Sequence, residues 1–185
     1  MLRLEPLDDL AARRRIGFLL AKAAWSREEA GEALFWSEHV VRVHAGAASS
    51  WALAGRVNGK ILRDLGMWPA TLERAREAFR RACELEPRLP WYWLDRARLE
   101  RAAGDAGRAR EFALRAVEVE PNCVGGWLLL ARLDLDQGRE ERARTDFDRA
   151  REARRCLRGR VLESYERALL YAPAWQWREL QEALP

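Results

Sequence analysis

Apolar residues recur along this chain at the three- and four-residue spacing of a helix face, and no segment sustains the alternation of a strand. The pattern predicts helices over about Leu7–Ala24, Arg27–Ala45, Ser50–Leu65, Leu72–Leu85, Leu89–Ala103, Ala106–Val119, Cys123–Gln137 and Arg139–Arg154. Start and stop signals agree with these spans. Ser26 followed by Glu29 has the form of a capping box. Gly104-Asp105 offers a residue that tolerates left-handed backbone at the end of one helix and a carboxylate that caps the next. Gly138 repeats the stop, and Asn122 is expected to cap the helix after Pro121. Between Leu65 and Leu72 the segment Gly66-Met67-Trp68-Pro69-Ala70 reads as a turn longer by about four residues than its counterparts, with Pro69 near a helix start, where its missing N–H costs nothing.

The helices repeat in pairs. Laid over itself at an offset of 34 residues, the chain brings Trp93 onto Trp127, Ala97 onto Ala131, Gly104 onto Gly138, Ala109 onto Ala143 and Ala116 onto Ala150. Upstream, Ala75, Phe79, Ala82 and Pro87 fall in the same frame. Trp, small residue, Gly, Ala, aromatic, Ala and Pro at this period resemble the tetratricopeptide repeat, in which two antiparallel helices stack on the next pair. The resemblance implies an all-α, right-handed solenoid, because neither helix of a pair can bury its apolar face alone. It implies core positions for Trp93, Trp127, Leu130, Phe79, Phe147 and the alanines of the frame. Ala113 stands where Phe79 and Phe147 stand, with Phe112 beside it, so looser packing is expected in the middle pair.

One domain over residues 1–185 follows: a diverged first helix pair at 1–48, three repeats resembling the tetratricopeptide form at 49–155, and terminal helices at 156–185. In the last part Glu163–Pro173 has the form of a second repeat helix, and Trp175–Leu184 that of a short capping helix. Leu2-Arg-Leu-Glu-Pro6 has the form of Cys83–Pro87 and Val117–Pro121, which close repeats, so the sequence fits a complete protein and a segment of a longer one equally well.

In the family resembled, the first helix of each pair forms the inner wall of a concave groove. Carried over with Gly66, Gly104 and Gly138 as anchors, the wall positions hold Arg56, Lys60 and Arg63; then Trp91, Leu94, Asp95, Arg98 and Arg101; then Leu128, Leu129, Arg132 and Asp136. Arg56, Lys60 and Arg63 also share one helix face by their spacing alone. Guanidinium groups grip carboxylates bidentately, which points to an acidic ligand for Arg56, Lys60, Arg63, Trp91, Leu94, Arg98, Arg101 and Arg132. Relatives that clamp chaperone tails use inward Asn residues, and none stands at these positions.

Composition narrows the chemistry. Hydrophobic residues make up 49% and charged residues 34%, enough apolar content for a core, to which nine Trp contribute large bodies. The net charge is +4, and Lys occurs only at Lys22 and Lys60, a skew toward Arg that reads as a GC-rich bacterial coding sequence. Cys83, Cys123 and Cys156 show no metal or redox spacing and are expected to be buried thiols. His39 and His44 miss the spacing that brings two rings to one metal. Ser49-Ser50 is expected in a loop without nucleophile-elbow glycines. No cofactor motif, signal peptide, membrane span or catalytic constellation is found.

The expected function is a non-enzymatic scaffold that holds an extended or helical, acidic segment of a partner protein, with homo-oligomerisation compatible and no nucleic acid expected. The alternative is the tetratricopeptide region of a larger bacterial membrane protein of cell-surface polysaccharide (O-antigen type) assembly. RNA binding by a helical repeat ranks third, because aromatic stacking positions among clustered cations are sparse. A complete chain would be cytoplasmic; an excised one leaves the compartment open, periplasmic or membrane-tethered settings included.

Overall fold

The computed structural model describes residues 9–21, 26–66 and 69–157. Among them lie eight α-helices and no strand: α1 Asp9–Ala21, α2 Arg27–Val43, α3 Ala48–Leu65, α4 Pro69–Leu85, α5 Pro90–Ala102, α6 Ala106–Val119, α7 Val124–Asp136 and α8 Glu140–Leu157. The terminal helices expected after 157, and the N-terminal Leu2–Pro6, lie outside the described residues. Local chemistry sets the ends. Ser26 and Glu29 form the capping box in both directions, and Asp105 accepts from the Arg108 N–H at 2.9 Å. Gly66, Gly104 and Gly138 take φ of 95°, 83° and 69°, the left-handed region that a side chain would strain.

The helices stack as pairs, α1/α2, α3/α4, α5/α6 and α7/α8. The last three pack more extensively within each pair than with their neighbours. First helices touch in succession, α1 on α3, α3 on α5 and α5 on α7, whereas second helices do not meet to that extent. This asymmetry bends the stack into a solenoid with first helices on the concave side. The seams are built from alanines with no exposure: Ala97, Ala109, Ala113, Ala116 and Ala131 between α5, α6 and α7, and Ala75 and Ala82 on α4. Leu94, Leu130 and Leu133 fill the space beside them.

Each repeat is closed by an indole. Trp51, Trp93 and Trp127 donate Nε1–H to the carbonyls of Ala45, Pro87 and Pro121 at 2.7, 2.9 and 2.8 Å, tying a helix to the loop before it. Trp127 also packs between two parts of the core and lies under the Arg149 guanidinium at 4.8 Å. Being only partly buried, it should cost about 2–3 kcal/mol when replaced by Ala, below the range for fully buried aromatics. Urea unfolding checks this, and a loss under about 1 kcal/mol would mean the indole is a surface group.

Several expectations change. The gap after α3 is not longer than its counterparts: α3 ends at Leu65 and α4 begins at Pro69, the same spacing as from α5 to α6 and from α7 to α8. The additional residues lie in both helices: α3 has 18 where α5 and α7 have 13, and α4 starts six residues before Ala75 where α6 starts three before the equivalent Ala109. Counted from the helix starts Ala48, Pro90 and Val124, Arg56, Arg98 and Arg132 are therefore equivalent, and Lys60 lies a turn beyond. Asn122 does not cap α7; Cys123 holds that position without a side-chain hydrogen bond. Ser49 and Ser50 are in the first turn of α3, where buried Ser50 accepts from Arg13 at 2.8 Å. Cys156 is exposed, while burial pushes the thiols of Cys83 and Cys123 up to about 12 and about 11, keeping them protonated. Nor is the middle pair loose. Ala113 admits the α7 backbone so closely that a Cβ on Gly126 would come 2.6 Å from Val117 Cγ1, and Phe112 turns its ring to Trp93 at 6.3 Å.

Candidate functional site: the concave wall

The wall is made by α3, α5 and α7. Its helices approach because small residues face their neighbours: a Cβ on Gly125 would stand 2.7 Å from Leu94 Cδ2. That contact corrects the expected role of Leu94, which is 1% exposed and belongs to the core seam. Leu129 is likewise buried. Lys60 is also removed from the wall surface. Its ammonium is 2.7 Å from Asp64, which lies on the extra turn of α3, and both side chains are nearly inaccessible. Arg63, beside them, is half exposed and 3.5 Å from Asp64.

The remaining cations are arranged around two carboxylates. Arg56 on α3 reaches across to Asp95 on α5 at 2.6 Å, and Arg98, one turn on, approaches the other oxygen at 3.6 Å. One repeat along, Arg132 of α7 lies 3.1 Å from Oδ1 of Asp136, and Arg101 of α5 lies 3.6 Å from its Oδ2. Both clusters bridge successive first helices, so the wall carries guanidinium groups at each seam, and Trp91 of α5 is partly buried against the core. Asp95 holds the Arg56 pKa even above its usual high value by its charge, against the opposing effect of burial. The stretch thus offers Arg56, Arg63, Arg98, Arg101 and Arg132 against Asp95 and Asp136, an excess of positive charge.

Two interactions were not anticipated from the sequence. Arg76 of α4 donates from Nε and Nη2 to Glu100 of α5 at 3.0 and 2.7 Å, and Glu100 is 2% exposed. At the 34-residue offset, Arg110 of α6 donates to Asp134 of α7, which also receives Arg139 at 2.7 Å. Burial pushes the Asp134 carboxyl up, but the hydrogen bonds and charges of Arg139 and Arg110 prevail and hold it below the usual carboxylate range. The signal was available: Arg76 with Arg110 and Glu100 with Asp134 coincide at the repeat offset. Above these ties the separated second helices leave convex clefts, one of about 630 Å³ lined by Trp93, Arg96, Glu100 and Phe112, and one of about 250 Å³ lined by Trp127, Leu130, Asp134 and Asp146. Arg96 stacks on Phe112 at 3.9 Å in the first.

Arg81 pairs with Glu77 at 3.1 Å and Arg115 with Glu118 at 2.9 Å, both on the helix surface. The His39 ring packs edge-on against Trp36. Among the described residues no cluster could hold a metal ion, and no helix is long and apolar enough to cross a membrane.

The tetratricopeptide repeat family model matches residues 90–133, the span of α5, α6 and most of α7. Among solved structures the chain is similar to a thermophilic tetratricopeptide-repeat protein of Thermus thermophilus, with 17% identity, 88% of this chain and 77% of that one covered, and a TM-score of 0.62. It is also similar to two crystal structures of MamA. One has 16% identity, coverage of 69% and 70%, and a TM-score of 0.58. The other has 16% identity, coverage of 83% and 81%, and a TM-score of 0.57. No curated protein matches. Residues 90–133 therefore match a tetratricopeptide repeat, and the described helices share the α-solenoid fold of these similar structures.

Proposed function

We propose that this chain is a non-enzymatic interaction module that holds an acidic, extended or helical segment of another protein against its concave wall. The observation that carries the reading is the excess of guanidinium groups at the seams of α3, α5 and α7. A preformed wall of this kind binds a segment without large rearrangement, and its side chains set which segment fits. Arg56, Arg63, Arg98, Arg101, Arg132 and Trp91 are the residues assigned to it. Lys60 and Leu94 act from beneath, through packing.

Arg98 is a poor choice for charge reversal, since its side chain is 19% exposed and a Glu there would face Asp95. Arg101 and Arg132 are more accessible. The test is fluorescence anisotropy of a labelled oligoglutamate peptide, with oligoserine as control. Wild type should bind oligoglutamate in preference, more weakly as salt rises because the contacts are partly exposed. Arg101→Gln with Arg132→Gln should lower affinity roughly tenfold, as loss of charge-assisted hydrogen bonds implies, with helicity unchanged. Equal binding of oligoglutamate by wild type and double variant removes the concave wall as the site.

A further inference from the structure

The two Arg–Asp–Arg clusters of the wall have the same geometry and different accessibility. In each, one guanidinium approaches each carboxylate oxygen, and the cluster bridges two successive first helices. The Asp95 side chain is 11% exposed, and Arg56 and Arg98 cover it. Asp136 is 44% exposed and Arg132 60%; the nearer contact of Asp136 is 3.1 Å, against 2.6 Å at Asp95, and the farther one is 3.6 Å in both clusters. We infer that Asp136 is a built-in occupant of a carboxylate-binding site formed by Arg101 and Arg132, and that an acidic partner segment binds by displacing it. This rests on the concave-wall reading above and assigns that wall its point of entry.

Three features favour exchange at this cluster. An exposed ion pair is worth only about 0–1 kcal/mol, so Asp136 is a weak holder of its two partners. It is also the last residue of α7, at the helix end where the backbone carbonyls make a carboxylate unfavourable. Once its guanidiniums are taken, the side chain gains by turning to solvent. Finally, the pairing is preserved through the exchange: one carboxylate of the partner takes the two guanidiniums, and one carboxylate of the chain is released into water. The same step at Asp95 would strip a covered carboxylate of its donors, which costs much more. The inner cluster therefore acts as a fixed tie between α3 and α5, and the outer one as a receptor for a planar anion, for which paired guanidiniums are suited.

The experiment measures oligoglutamate binding to wild type, Asp136→Asn, Asp136→Ala and the Arg101→Gln/Arg132→Gln variant, each checked for unchanged melting. If Asp136 competes with the ligand, both Asp136 variants should tighten binding by about two- to fivefold, the worth of an exposed pair expressed as affinity. Unchanged or weaker binding by both Asp136 variants, with loss in the arginine variant, overturns the competitor role and leaves the concave-wall reading standing. Binding that no variant alters overturns both.

Discussion

Arg76→Ala should destabilise the protein by about 3–5 kcal/mol, the cost of leaving a buried carboxylate without its partner. Glu100 is almost inaccessible, and Arg76 supplies it with two donors from the neighbouring repeat. The removed guanidinium leaves the nearly inaccessible Glu100 carboxylate without its donors in the seam of α4 and α5. The attraction itself is offset by the desolvation of both groups, and Arg76→Met combined with Glu100→Leu should therefore recover most of the loss. Urea unfolding of wild type, both single variants and the double variant measures the coupling. The equivalent position gives an internal control: Arg110→Ala should cost less, because Arg139 remains 2.7 Å from Asp134. Equal small losses below about 1 kcal/mol at Arg76 and Arg110 would show that neither tie is desolvated in solution.

Phe79→Ala should also cost about 3–5 kcal/mol, as expected for a fully buried aromatic. Phe79 is 3% exposed and lies against the backbone of α3 at Gly55, where an added Cβ would come within 2.7–2.8 Å of three ring carbons. Gly55→Ala alone should thus cost about 1–3 kcal/mol through overpacking. The two changes should not add, since removing the ring removes the clash, and the double variant should be about as stable as Phe79→Ala. Strict additivity would mean that the ring does not rest on Gly55.

Much of this architecture is written in local chemistry. The span of α6, Ala106–Val119, follows from Asp105 as cap and from the apolar face of the helix, both of which act within a few residues. Gly66, Gly104 and Gly138 mark helix ends because only glycine takes their backbone conformation without strain. The repeat offset extends such local signals into an architecture: an apolar helix face that recurs with the same small residues has to be covered by its own copy. Helix order, the glycine stops, the alanine seams and the solenoid class therefore follow from the sequence by itself.

What lies on the wall was decided by tertiary structure. Lys60 and Arg56 share a helix face, yet only the packing around the extra turn of α3 shows that Lys60 is buried in a pair with Asp64. Leu94 has a wall position by the repeat frame, but the close approach of α7 at Gly125 turns it into core. Asp95 and Asp136 occupy the guanidiniums of other helices across distances in sequence that no helical period relates. The physical reason is common to all three. Periodicity fixes the direction of a side chain about its own helix axis, while its partners and exposure depend on how near the next helix comes and at what register, which is set jointly by the small residues and charged groups of both.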